Sequence, residues 1–125
     1  MYEISAKFSI SSAHFLCNYE GKCKNLHGHN WNITVYVKGD ELDSLGMLID
    51  FNTLKKYFKI IENELDHTCL NELDYFKQRN PTAENISEYI YNRMSGLFSG
   101  DNIENAEVSK VSVYETQNCE AIYYK

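Results

Sequence analysis

Residues Ile4 to His14 alternate without a break. Ile4, Ala6, Phe8, Ile10 and Ser12 fall on one parity, with Ser5, Lys7, Ser9 and Ser11 on the other. Successive strand side chains leave opposite faces, so the pattern predicts a strand with one face on a core and one in water. His14 ends the run on the apolar parity. A second alternating run spans His27 to Lys38, with His27, His29, Trp31, Ile33, Val35 and Val37 on one parity and Asn30, Asn32, Thr34 and Lys38 on the other. Phe15 to Leu26, with Gly21 and two cysteines, reads as the loop between them, and Gly39-Asp40 closes the second strand. One-sided strands of this kind belong to antiparallel sheets, since parallel strands are covered on both faces.

The period then changes. Leu54, Phe58, Ile61 and Leu65 recur at helical spacing behind two candidate N-caps, Asp50 and Asn52. Asn80-Pro81-Thr82 breaks the chain, and Thr82 can cap a second helix whose apolar stripe is Ile86, Ile90, Met94 and Leu97. After a turn at Gly100-Asp101-Asn102, Val108 to Glu115 and Cys119 to Tyr124 read as a hairpin closed by Thr116-Gln117-Asn118. The order β-β-α-α-β-β groups elements by type, which predicts an α+β fold with a four-stranded antiparallel sheet. The 125 residues, 43% hydrophobic and 24% charged, suit one compact domain over 1–125. In so small a chain a deep pocket consumes core, so walls borrowed from a second subunit are economical. Asn71 to Arg79 carries no readable motif.

A net charge of −6 without a basic run argues against nucleic acid and acidic membranes as partners. No apolar stretch approaches membrane-spanning length, and Met-Tyr-Glu-Ile-Ser-Ala-Lys lacks the regions of a signal peptide. A cytoplasmic protein is expected. There Cys17, Cys23, Cys69 and Cys119 read as free thiols, a metal ligand or a reactive group rather than disulfides.

The histidines carry the chemistry. His27 and His29, two apart, leave the same strand face, and Gly28 between them lets backbone or ligand approach closely. His14 ends the neighbouring apolar face. Three imidazoles meeting at one strand end make a zinc site with an open fourth position, the arrangement of catalytic zinc. Cys23 either closes that site as a fourth ligand or stays off it as a reactive thiolate, favoured by Lys22 and Lys24 on either side. Asp66-His67 is either an ordinary helix end or a polarised pair that relays protons. Glu84 lies in a helix first turn, where an acid is favoured in any case. Glu115 shares the parity of Val111 and Val113, so it is either solvated at the rim or buried with a partner.

Phe8 to His14 (FSISSAH), Tyr19 to His29 (YEGKCKNLHGH), Leu65 to His67 (LDH), Pro81 to Asn85 (PTAEN) and Tyr114 to Thr116 (YET), in that order, resemble the 6-pyruvoyltetrahydropterin synthase superfamily. Within it the chain looks like the bacterial 6-carboxytetrahydropterin synthases of queuosine biosynthesis. The resemblance implies the tunnelling fold, with two helices on one face of the sheet. It implies trimers that commonly stack as hexamers, with active sites between subunits. It casts His14, His27 and His29 as zinc ligands and Cys23, Asp66 and His67 as catalytic. Glu115 becomes the anchor of a pterin ring, with Thr82 and Glu84 beside it; Lys22 and Lys24 are candidates for holding a triphosphate. The implied substrate is 7,8-dihydroneopterin triphosphate, cleaved to 6-carboxytetrahydropterin, acetaldehyde and triphosphate with zinc as Lewis acid.

The three residues between Cys23 and His27 resemble the carboxypterin branch, whereas animal pyruvoyl enzymes carry a longer segment there. Two alternatives remain at this level. One is a pyruvoyl-type synthase that keeps the side chain. The other is a non-catalytic zinc-stabilised assembly protein, with Cys23 closing the metal site.

Overall fold

A computed structural model describes residues 1–18 and 20–125, so Tyr19, at the head of one matched segment, lies outside it. Two long strands, β1 (Tyr2–His14) and β2 (His27–Gly39), come first. Helices α1 (Phe51–Leu65) and α2 (Ala83–Gly100) follow, then β3 (Glu107–Thr116) and β4 (Cys119–Tyr124). The strands form one antiparallel sheet in the order β1-β2-β3-β4. This is the predicted α+β arrangement.

The alternation does what its period requires. Ile10, Trp31, Ile33, Val35, Val111 and Val113 are at most 1% exposed and floor one core. Leu54, Phe58, Ile61 and Leu65 of α1, with Ile86, Ile90, Met94 and Phe98 of α2, close it from above. Phe8 stacks on Phe58 with ring centroids 4.0 Å apart. Burying side chains of this size contributes about 1.5–3 kcal/mol each, so the core outweighs any single polar contact.

Asp50, not Asn52, caps α1, its carboxylate accepting the Asn52 N–H at 2.8 Å. Thr82 caps α2 by accepting the Asn85 N–H at 3.2 Å. The stripe of α2 ends on Phe98, with Leu97 only partly buried, because a 3.6-residue period drifts over five turns. The segment without a motif forms two short 3-10 turns, Leu70–Glu72 and Asp74–Phe76, that bury Leu70 and Phe76.

Candidate functional site: a histidine cluster at the sheet end

The β1–β2 register sets His14 opposite His27, Ser12 opposite His29 and Ile10 opposite Trp31. With same-face side chains two residues apart, the three imidazoles stand together over the Trp31 ring. Their centroids are 4.5 Å (His14–His27), 5.1 Å (His14–His29) and 4.9 Å (His27–His29) apart. Trp31 meets His14 and His29 edge-on at 4.9 and 5.2 Å, closing the cluster from the core side.

Two rings are held by backbone carbonyls. His14 Nδ1 donates to the Pro81 carbonyl, and His27 Nδ1 to the Asn25 carbonyl, each at 2.7 Å. A carbonyl on Nδ1 fixes the tautomer and leaves Nε2 as a lone-pair donor, which is how proteins orient imidazole ligands. The Nε2 atoms of His14 and His29 are buried without a hydrogen-bond partner. Orphaned buried polar atoms are costly, and two aimed at one point fit a cation. Burial, the largest cause, holds both His14 and His29 below the usual histidine pKa, which keeps them in the neutral form a metal needs.

Glu115 joins the histidines. Its Oε1 lies 3.2 Å from His14 Nε2 and 3.3 Å from His29 Nε2. One donor atom from each of His14, His27, His29 and Glu115 falls within 4.8 Å of the others, and Cys23 is not one of this set. A bulge sets Glu115 there. Tyr114 pairs with Glu120 and Thr116 with Cys119, so Glu115 is the extra residue on β3. Bulges re-aim a side chain in just this way.

A cleft of about 280 Å³ opens beside the cluster, lined by His14, Cys23, Thr82, Glu84 and Glu115, with Cys119 also on its wall. Cys23 is a half-buried free thiol on a 3-10 turn between Lys22 and Lys24, both exposed. Two asparagines fasten the loop before it. Asn80 accepts the Cys17 N–H at 2.8 Å and donates to the Cys17 carbonyl at 2.9 Å. Asn71 does the same for Phe15 at 3.0 and 2.9 Å. Leu16 N–H then donates to the Cys23 carbonyl at 2.8 Å. In the sequence Asn71 carries no readable role and Asn80 only that of a chain breaker. An amide that copies a strand partner has no local pattern to betray it.

Asp66 and His67 form their pair but not in this cleft. His67 Nδ1 donates to Asp66 Oδ2 at 2.8 Å, while Asp66 Oδ1 accepts the Ser11 N–H at 2.7 Å. That backbone bond is the main cause holding Asp66 below the usual carboxylate range. His67 takes a left-handed φ of 56°, the bend that lets adjacent side chains meet, and the β1 edge clamps it through His67 N–H to Ser11 carbonyl at 2.6 Å. The imidazole is 81% exposed and lines a separate, more open depression with Ser11, Gly28, His29 and Asn30. Within one chain, therefore, the cleft gathers His14, Cys23, Thr82, Glu84 and Glu115, and the dyad's depression meets the histidine cluster through His29.

Two helices thus cover one face of a four-stranded antiparallel sheet, with convergent imidazoles at its end. The backbone matches the solved 6-pyruvoyl tetrahydropterin synthase of Caenorhabditis elegans with a TM-score of 0.86 at 27% identity, covering 99% of this chain and 95% of that one. The family model for 6-pyruvoyl tetrahydropterin synthase matches residues 3–125, and the chain belongs to that family of enzymes. It is 34% identical to the 6-carboxy-5,6,7,8-tetrahydropterin synthase of Bacillus subtilis, over 98% of this chain and 84% of that protein. It is also 33% identical to the human 6-pyruvoyl tetrahydrobiopterin synthase, over 97% and 90%.

Proposed function

We propose that the protein is a zinc-dependent lyase that converts 7,8-dihydroneopterin triphosphate to 6-carboxy-5,6,7,8-tetrahydropterin, acetaldehyde and triphosphate. The observation that carries this reading is the joint wall: His14 of the imidazole cluster, a free thiol and a carboxylate line one small cleft. A closed site with Cys23 as fourth ligand, expected of a mere assembly protein, finds no support in a cluster that includes Glu115 and leaves Cys23 aside.

His14, His27 and His29 would hold the zinc, which when bound supplies Lewis-acid polarisation of the substrate's side-chain hydroxyls. Cys23, a half-buried thiol on that wall, moves protons at the side chain. The Glu115 carboxylate accepts the paired N–H donors of the pterin ring, and Thr82 and Glu84 border it. Lys22 and Lys24, exposed on either side of Cys23, neutralise the triphosphate. The Asp66-His67 pair relays protons from a neighbouring subunit, since His67 lines a different depression from Cys23 in its own chain. The outer edges of β4 and of most of β1 have no strand partner among the described residues, which suits a trimer or dimer of trimers closed edge to edge. A reducing cytoplasm keeps Cys23 a thiol.

Overall identity does not separate the branches, because the Bacillus subtilis and human relatives are about equally similar. The short link from Cys23 to His27 favours the carboxypterin branch and, with it, queuosine biosynthesis. Product analysis tests the choice. Zinc-loaded protein given 7,8-dihydroneopterin triphosphate should release acetaldehyde and 6-carboxytetrahydropterin; a 6-pyruvoyl product without acetaldehyde would place it in the other branch.

A further inference from the structure

The place assigned to Glu115 against a pterin ring does not explain where its carboxylate stands. Oε1 lies 3.2 Å from His14 Nε2 and 3.3 Å from His29 Nε2, yet neither nitrogen has a hydrogen-bond partner. The His14 proton is committed elsewhere, since Nδ1 donates to the Pro81 carbonyl at 2.7 Å. A neutral ring so held presents a bare lone pair at Nε2. A carboxylate oxygen facing that lone pair is repelled unless a cation or a proton lies between them, and His29 Nε2 comes within 3.3 Å of the same oxygen. The spacing is that of shared coordination. Zinc at its usual distances from nitrogen and oxygen, in a tetrahedron, sets neighbouring ligand atoms about 3.3–3.5 Å apart. The set of four spans up to 4.8 Å, so only its longer edges need to contract.

We infer that Glu115 is the fourth ligand of the metal while the cleft holds no pterin, and that it leaves the metal for the ring's N–H donors when substrate enters. The inference rests on the zinc-centre reading above. The Glu115 side chain is 32% exposed, which leaves it room to turn. One carboxylate serving two partners makes recognition of the ring and opening of the metal a single event. It also keeps water from the fourth position in the resting protein.

Zinc affinity by chelator competition, and the absorption spectrum of the cobalt-substituted protein, test this on the full chain and on Glu115→Gln and Glu115→Ala. Glu115→Gln keeps the shape of the side chain, and thermal unfolding of the metal-free forms checks that all fold. The expected result is zinc binding at least about tenfold weaker in both variants. Their cobalt spectra should differ from the parent's before any pterin is added, and 7,8-dihydroneopterin should change the parent's spectrum. Equal zinc affinity and identical cobalt spectra in parent and variants, with His27→Ala losing the metal, would overturn the role of Glu115 alone. A parent spectrum that pterin leaves unchanged would overturn the exchange. A folded parent that binds neither metal would remove the metal centre itself, and this inference with it.

Discussion

At the residue scale the division lies between the four-residue cluster that could hold a metal and the groups beside it. Cys23 lines the cleft but stands outside the four-residue cluster. Cys23→Ala should therefore lower turnover at least about a hundredfold, the scale of a lost acid–base group, while metal content per chain stays at the parent's level. Loss of metal from that variant would make Cys23 a ligand. His14 and His29 give a pH dependence of defined sign. Both have folded-state pKa values below 6.5, chiefly through burial. As pH falls through 6.5 the unfolded chain takes up protons at these positions before the folded one does, so the metal-free protein loses stability on acidification in that window. Urea unfolding at pH 7.5 and pH 5.5 should show a lower midpoint at the acid end. A higher one would mean that these rings are charged in the fold.

At the element scale, the strands and helices follow from period and caps, whereas the loops are held by contacts distant in sequence. Asn80→Ala removes both bonds to Cys17 and with them the clamp on the loop that leads to Cys23. Because that contact is exposed, water replaces part of it, and the expected cost is about 1 kcal/mol in chemical unfolding. Turnover should fall more than stability alone accounts for, at unchanged metal content, since Cys23 loses its fixed position. The strand parities of β1 and β2 placed the three histidines from the sequence, because alternation is a property of the backbone and needs no knowledge of neighbours. The bulge at Glu115 was not legible. An extra residue on one strand shows only against its partner, and Glu115 continues the apolar parity as a regular strand would. Parity could say that Glu115 faced inward; it could not say that the end of β3 meets the ends of β1 and β2.

At the scale of the whole molecule, a cleft containing Cys23 but not Asp66-His67 sets up a complementation test. Cys23→Ala and His67→Ala should each be inactive as homo-oligomers. If neighbouring chains share a site, unfolding and refolding the two together in equal amounts gives about one quarter of sites with both groups intact, and about one quarter of parental activity returns. No recovery would confine each site to one chain, with a rearrangement bringing His67 to Cys23. A fold of this size encloses a deep pocket only at the expense of its core, which is the physical reason to expect walls shared between chains.

The sequence by itself determined what is periodic or adjacent: the one-sided strands, the capped helices, the three imidazoles on one face and the chemistry of the donor set. These depend on backbone geometry within a few residues. Only the tertiary structure decided that Glu115 joins the histidines, that Asn71 and Asn80 hold the loop leading to Cys23, and that His67 lines a different depression from Cys23. Each of these depends on how elements far apart in the chain come together around the core, and that docking is set by the packing of many side chains at once rather than by any local pattern.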